Sequence, residues 1–187
     1  MKKLISISLF SLAVAFAPIG TSYAHENDKP MASSTQASKT PFDIQFLDTM
    51  SQHHRDGVKM MQMAVDKAQS QDVKDMAQRM MDDQEKEIDQ MKSMRDEIKP
   101  DAPNAVNMKM PGMMKMDMSK LQSASGMAFD RQFLMMMTKH HEGAVKMSDA
   151  ALKQAQNADV KAMAQKMHDK QKSEIADMQA MLKDMGK

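Results

Sequence analysis

Two short segments carry most of the coordinating chemistry in this sequence. Met50-Ser-Gln-His53-His54 has the form M-x-x-H-H, and Met137-Thr-Lys-His140-His141 repeats it. On a helix turning about 100° per residue, His53 and His54 fall about 60° and about 40° to either side of Met50. Asp43 lies about 20° from Met50 on the same stripe. A thioether, two imidazoles and a carboxylate therefore share one helix face in each copy, and imidazole is the commonest metal ligand. If the chain doubles back near Ser70 and Gln71, His54 comes level with Glu87 and Gly57 with Gln84. In the second copy His141 meets Glu174, and Gln171 takes the place of Gln84. A lone carboxylate on an apolar stripe is costly to bury unless paired. Met50, His53, His54, Glu87, Met137, His140, His141 and Glu174 are thus expected to converge as a metal cluster in the middle of the molecule. A structural role competes, in which His–Glu hydrogen bonds only set helix register. Adjacent His pairs, duplicated and each a turn from a Met, favour metal.

The donor set selects the ion. Thioether with imidazole suits copper(I) or silver(I) over magnesium, calcium or manganese. A thioether loses no proton on binding and forms no disulfide, so it works in mildly acid and oxidising surroundings. There is no Cys, which excludes a disulfide scaffold, a zinc ribbon, an iron–sulfur cluster, a thiol nucleophile and a blue-copper centre. A carboxylate-bridged di-iron bundle needs Glu-x-x-His, and no Glu here has His three residues later. A second soft-metal candidate is the run Met108, Met110, Met113, Met114, Met116 and Met118. It sits among charged residues, Pro and Gly, where no core is expected to need it, and Met is an oxidisable choice for a solvated loop. The competing role is a hydrophobic plug. His25 is a third candidate. As a mature N-terminus it would offer amine and imidazole to copper(II), against the plainer role of a tail residue.

These residues need elements to position them, and an internal repeat supplies the elements. Residues 42–94 match 129–181 without a gap at an offset of 87, with 27 of 53 positions identical. Apolar residues spaced at three and four, broken by polar residues near 70 and 157, make each copy a helical hairpin. Thr40-Pro41 reads as a cap and first helical residue. Helices are expected at 42–69, 72–98, 126–156 and 159–185, and no segment alternates as a strand does. The fold class is all-α: a four-helix bundle of two duplicated hairpins over 40–187. Pro100, Pro103, Pro111 and Gly112 keep the Met-rich linker, 100–125, from being one helix.

Ahead of the bundle, Lys2 and Lys3 precede an apolar run, a Pro18/Gly20 break and Ser22-Tyr23-Ala24. This is a signal-peptide pattern over residues 1–24, cleaved after Ala24. A polar tail, 25–39, is expected to be disordered. The mature chain would be periplasmic, with no membrane segment. The full chain has 187 residues and a net charge of +1, without the basic stripe that nucleic acid requires. Cleavage leaves 26 Met but only fifteen Leu, Ile and Val. Many Met must therefore be core, a role their flexible side chains can fill.

The duplicated F-D-x-x-F-L-x-x-M-x-x-H-H pattern, Phe42 to His54 and Phe129 to His141, resembles the domain-of-unknown-function family number 305. The resemblance runs from Phe42 to about Met185. It implies a ferritin-like helical bundle of exported, Met-rich bacterial proteins linked to copper. Ligand roles would pass to Met50, His53, His54, Met137, His140 and His141. The expected function is periplasmic copper(I)/silver(I) buffering or carriage that contributes to copper tolerance, not an enzyme. Its partners would be metal ions and a periplasmic copper export or carrier protein. A Met-surfaced stress chaperone and a methionine oxidant sink are the alternatives.

Overall fold

The computed structural model describes residues 32–186. The expected signal peptide and His25 lie outside the described residues. Two long hairpins dominate: α1 (Phe42–Lys67) with α2 (Gln71–Ile98), and α4 (Gly126–Gln154) with α5 (Ala158–Asp184). A short α3 (Ser119–Ser123) precedes the second hairpin, inside the stretch expected as linker. Among the described residues there is no strand, and no helix is long and apolar enough to cross a membrane. Thr40 does not cap α1 with its side chain. Its hydroxyl donates to the Gln36 carbonyl at 2.9 Å, while Asn157 caps α5 by accepting from Asp159 and Val160.

The hairpins pack head to tail. One apolar cluster joins the turn end of the first hairpin (Met60, Met61, Ala64, Val73) to the open end of the second (Phe129, Phe133, Met137, Met178). The other joins Phe46, Leu47, Met50 and Met91 to Met147, Ala151, Val160 and Met167. Methionine fills much of both, as the shortage of branched aliphatics requires.

The turns are tied across the two halves. Asp43 of α1 accepts from the Gln156 and Asn157 amides in the turn of the other hairpin, at 3.1 and 2.9 Å. Asp130 of α4 accepts from the Gln69 and Ser70 amides at 2.9 and 2.8 Å. Each carboxylate satisfies amides that a helix start leaves without partners.

The linker is not the solvated loop that its composition suggested. Asp48 holds Arg95 at 2.7 Å and the Ala105 amide at 2.8 Å, and Thr49 accepts from the Asn107 amide at 2.9 Å. The preceding segment is ordered against it as well, where a disordered tail had been expected through Lys39. Ser33 accepts from the Met108 amide at 2.9 Å, and the Ser34 amide donates to Val106 at 2.8 Å.

Candidate functional site

The His pairs lie where α1 crosses α4, between the two apolar clusters. His53, His54, His140 and His141 are all buried, at 1% exposure or less. His54 Nε2 meets Glu87 Oε2 at 2.9 Å, and His141 Nε2 meets Glu174 Oε2 at the same distance. The level pairing expected from the hairpins is therefore realised in both halves. Glu87 and Glu174 hold the rings rather than standing free as ligands. Such a carboxylate fixes the ring and the tautomer, leaving the other nitrogen as the electron-pair donor.

His53 and His140 stack across the pseudo-twofold with ring centroids 3.7 Å apart. His140 Nε2 donates to the His53 carbonyl at 2.9 Å. That approach depends on Gly57, because a Cβ there would lie 2.7 Å from His140 Cε1 and 2.6 Å from Gln84 Oε1. The equivalent residue in the second copy is Ala144. His53 finds no reciprocal partner, and both of its ring nitrogens are buried without a hydrogen bond. The same holds for Nδ1 of His54, His140 and His141, and for both side-chain polar atoms of Gln84. Burial holds the His53 ring well below the ordinary imidazole pKa, with the neighbouring His140 adding to the effect. His140 is pushed down to about 3 by burial and by His141. Burial raises Glu87, but the His54 hydrogen bond and charge, with Lys170 at 3.6 Å, more than offset it and leave the carboxyl below its usual range. The layer thus holds neutral stacked imidazoles beside an ionised carboxylate.

Other parts of the expected cluster do not converge. Met50 lies in one apolar cluster and Met137 in the other, on opposite sides of the His layer. Helical periodicity placed them correctly on inward stripes, but the head-to-tail packing separates them. Among the described residues, no three His, Asp or Glu side chains gather as a ready cage for a metal ion. The linker methionines also differ from the expected free cluster. Met110 is buried, Met113, Met116 and Met118 pack partly on the apolar clusters, Met108 is half-buried, and only Met114 is exposed. Gly112, at φ +92°, brings its backbone against Gly143, and a Cβ on Gly143 would lie 3.1 Å from His53 Nε2. The linker thus lies over α4 beside the His layer. The sequence sets Gln84 level with Gly57 and puts Asp43 on the Met50 stripe beside the candidate ligands, but names no turn latch for Asp43 and no place in the layer for Gln84. Their retention as Gln171 and Asp130 was the available signal.

No curated protein matches the chain. Solved structures do. A DUF305 protein from Streptomyces coelicolor is 28% identical with a TM-score of 0.71, covering 78% of this chain and 94% of that one. CopM in its Cu(I)-bound form is 27% identical with a TM-score of 0.66, covering 78% of this chain and 98% of that chain. CopM in its Ag-bound form, obtained by co-crystallization, is 27% identical with a TM-score of 0.66, covering 76% and 96%. The family description "Domain of unknown function (DUF305)" matches twice, over residues 21–95 and 96–182, once for each hairpin. With both halves matched, the chain belongs to the DUF305 family.

Proposed function

We propose that this chain is an exported copper(I)/silver(I)-binding protein that buffers or carries the metal and contributes to copper tolerance. It acts as a binder rather than a catalyst. The observation that carries this reading is the set of unpartnered buried ring nitrogens on His53, His54, His140 and His141. Buried polar atoms in native proteins are nearly always partnered, so a layer of orphans calls for an occupant. Neutral imidazoles suit a soft metal, and the ionised Glu87 beside them favours a cation. A soft monovalent ion is satisfied by few ligands, so a pair of these rings suffices without a preformed cage. CopM, similar in fold, has been crystallised with Cu(I), Cu(II) and Ag. Methionines of the linker, Met108 and Met114 foremost, would add thioether sites at the surface. A periplasmic export or carrier protein would be the delivery partner.

Titration with copper(I) against a competing chelator tests this. Because burial holds His53 and His140 neutral well below the ordinary imidazole range, the His layer should keep its metal at mildly acid pH, as the thioether sites should. Changing all four His to Gln should remove the His-layer class of ion and leave the thioether class. Identical uptake by the wild type and the quadruple variant would reject the His layer as a site. Absence of stoichiometric uptake would instead leave the chaperone and oxidant-sink readings.

A further inference from the structure

Two surface grooves away from the His layer share one plan. The first, about 310 Å³, is lined by Asp72, Asp75, Met76, Arg79 and Met181. The second, about 620 Å³, includes Met94, Asp159, Met163 and Lys166, with Asp89 and Glu97 on its rim. The repeat offset carries Asp72, Met76 and Arg79 onto Asp159, Met163 and Lys166, and Met94 onto Met181. The two grooves are therefore one structure produced twice by the duplication. Each takes one methionine from α2 and one from α5, with the roles of the two helices exchanged.

Packing alone does not account for these methionines. Of the other methionines in the first copy, Met61, Met63 and Met81 become Ser148, Ala150 and His168, while Met50, Met60, Met80 and Met91 stay Met at positions no more than 3% exposed in either copy. In the grooves both members of both pairs are Met. Met76 and Met163 line the grooves at 9% exposure, while Met94 and Met181 are only half-buried. Paired thioethers at a solvent boundary are soft donors that remain available at any pH. The charge around them has the sign a cation needs. Asp72 and Asp75 outnumber Arg79 in one groove, and Asp89, Glu97 and Asp159 outnumber Lys166 in the other.

We propose that each groove is a soft-metal site, holding one copper(I) or silver(I) ion between its two methionine sulfurs: Met76 with Met181, and Met94 with Met163. The carboxylates at the rims draw the cation in. The inference rests on the soft-metal reading above but places ions at positions separate from the His layer and the linker. The test uses silver(I) with the mature protein near neutral pH. With methionine methyls labelled with carbon-13, silver should shift the methyl signals of all four groove residues together. Met76→Leu with Met181→Leu should lower silver stoichiometry by one ion, as should Met94→Leu with Met163→Leu. These exchanges nearly conserve side-chain volume and should leave the helical circular dichroism intact. Should a double variant fail to fold, the methyl shifts of the wild type still decide. Silver bound elsewhere with these four methyls unmoved would overturn the groove sites and leave the His-layer reading standing. No silver bound at all would overturn both.

Discussion

Gly57 and Ala144 occupy equivalent places in the two copies, and the His layer is not symmetric about them. The missing Cβ at Gly57 lets His140 reach the His53 carbonyl, while His53 stays unpartnered. Gly57→Ala should displace His140 and Gln84 and cost about 1–3 kcal/mol through overpacking, measured by chemical denaturation. A gain in stability from the helix-favouring Ala would mean that the layer yields easily and that the close approach is not required. The neutral state of the stacked rings makes a second forecast. In the unfolded chain His53 and His140 take up protons near about 6.5, whereas in the folded protein they resist until far lower pH. Their contribution to stability is therefore full above about 6.5 and falls as pH drops below it, for His140 down to about 3, at roughly 1 kcal/mol per ring per pH unit. Glu87, held below its usual range, adds a loss of the same sign below about pH 4.5. Melting of the metal-free protein should drop between about pH 7 and pH 5, and less steeply when both rings are changed to Gln. Equal melting at both pH values would contradict buried neutral rings.

Among the elements, the turns depend on carboxylates from the opposite hairpin. Asp43 and Asp130 each accept two turn amides, and hydrogen bonds to a charged acceptor contribute about 1.5–3 kcal/mol each. Asp43→Ala should destabilise by at least about 2 kcal/mol and raise hydrogen exchange at Gln156 and Asn157, and Asp130→Ala should do so at Gln69 and Ser70. Unchanged exchange at those amides would show the latches to be dispensable. The helices themselves were legible from apolar spacing, polar breaks and Pro100, and their ends fall within about two residues of expectation. The His54–Glu87 and His141–Glu174 pairs were legible too, because an antiparallel hairpin with a known turn fixes which residues stand level. The partners of Asp43 and Asp130 were not, since periodicity gives the face of a helix but not the element that meets it. The linker misled for a related reason. Its path is set by Arg95 together with Asp48 and Thr49, the last two lying two elements away in sequence, and the burial of Met110 follows from that path rather than from its neighbours.

At the scale of the whole molecule, the duplication has produced two hairpins that cannot complete themselves. Each apolar cluster takes its turn end from one hairpin and its open end from the other. Each turn is capped by the other hairpin's carboxylate, and the His layer is shared between both. Alone, a hairpin would present an uncovered apolar stripe and uncapped turn amides, and helices in water draw most of their stability from packing such a face. A fragment covering residues 32–99 should therefore show weak helical circular dichroism and no cooperative melting at micromolar concentration. The same is expected of residues 119–187. Mixing the two should restore helix content and a single transition, because the clusters and the latches Asp43 and Asp130 form only between the halves. The restored complex should melt at a temperature that rises with concentration, as mass action requires for a bimolecular fold. A lone hairpin that melts cooperatively as a monomer would show that each repeat is a domain in its own right.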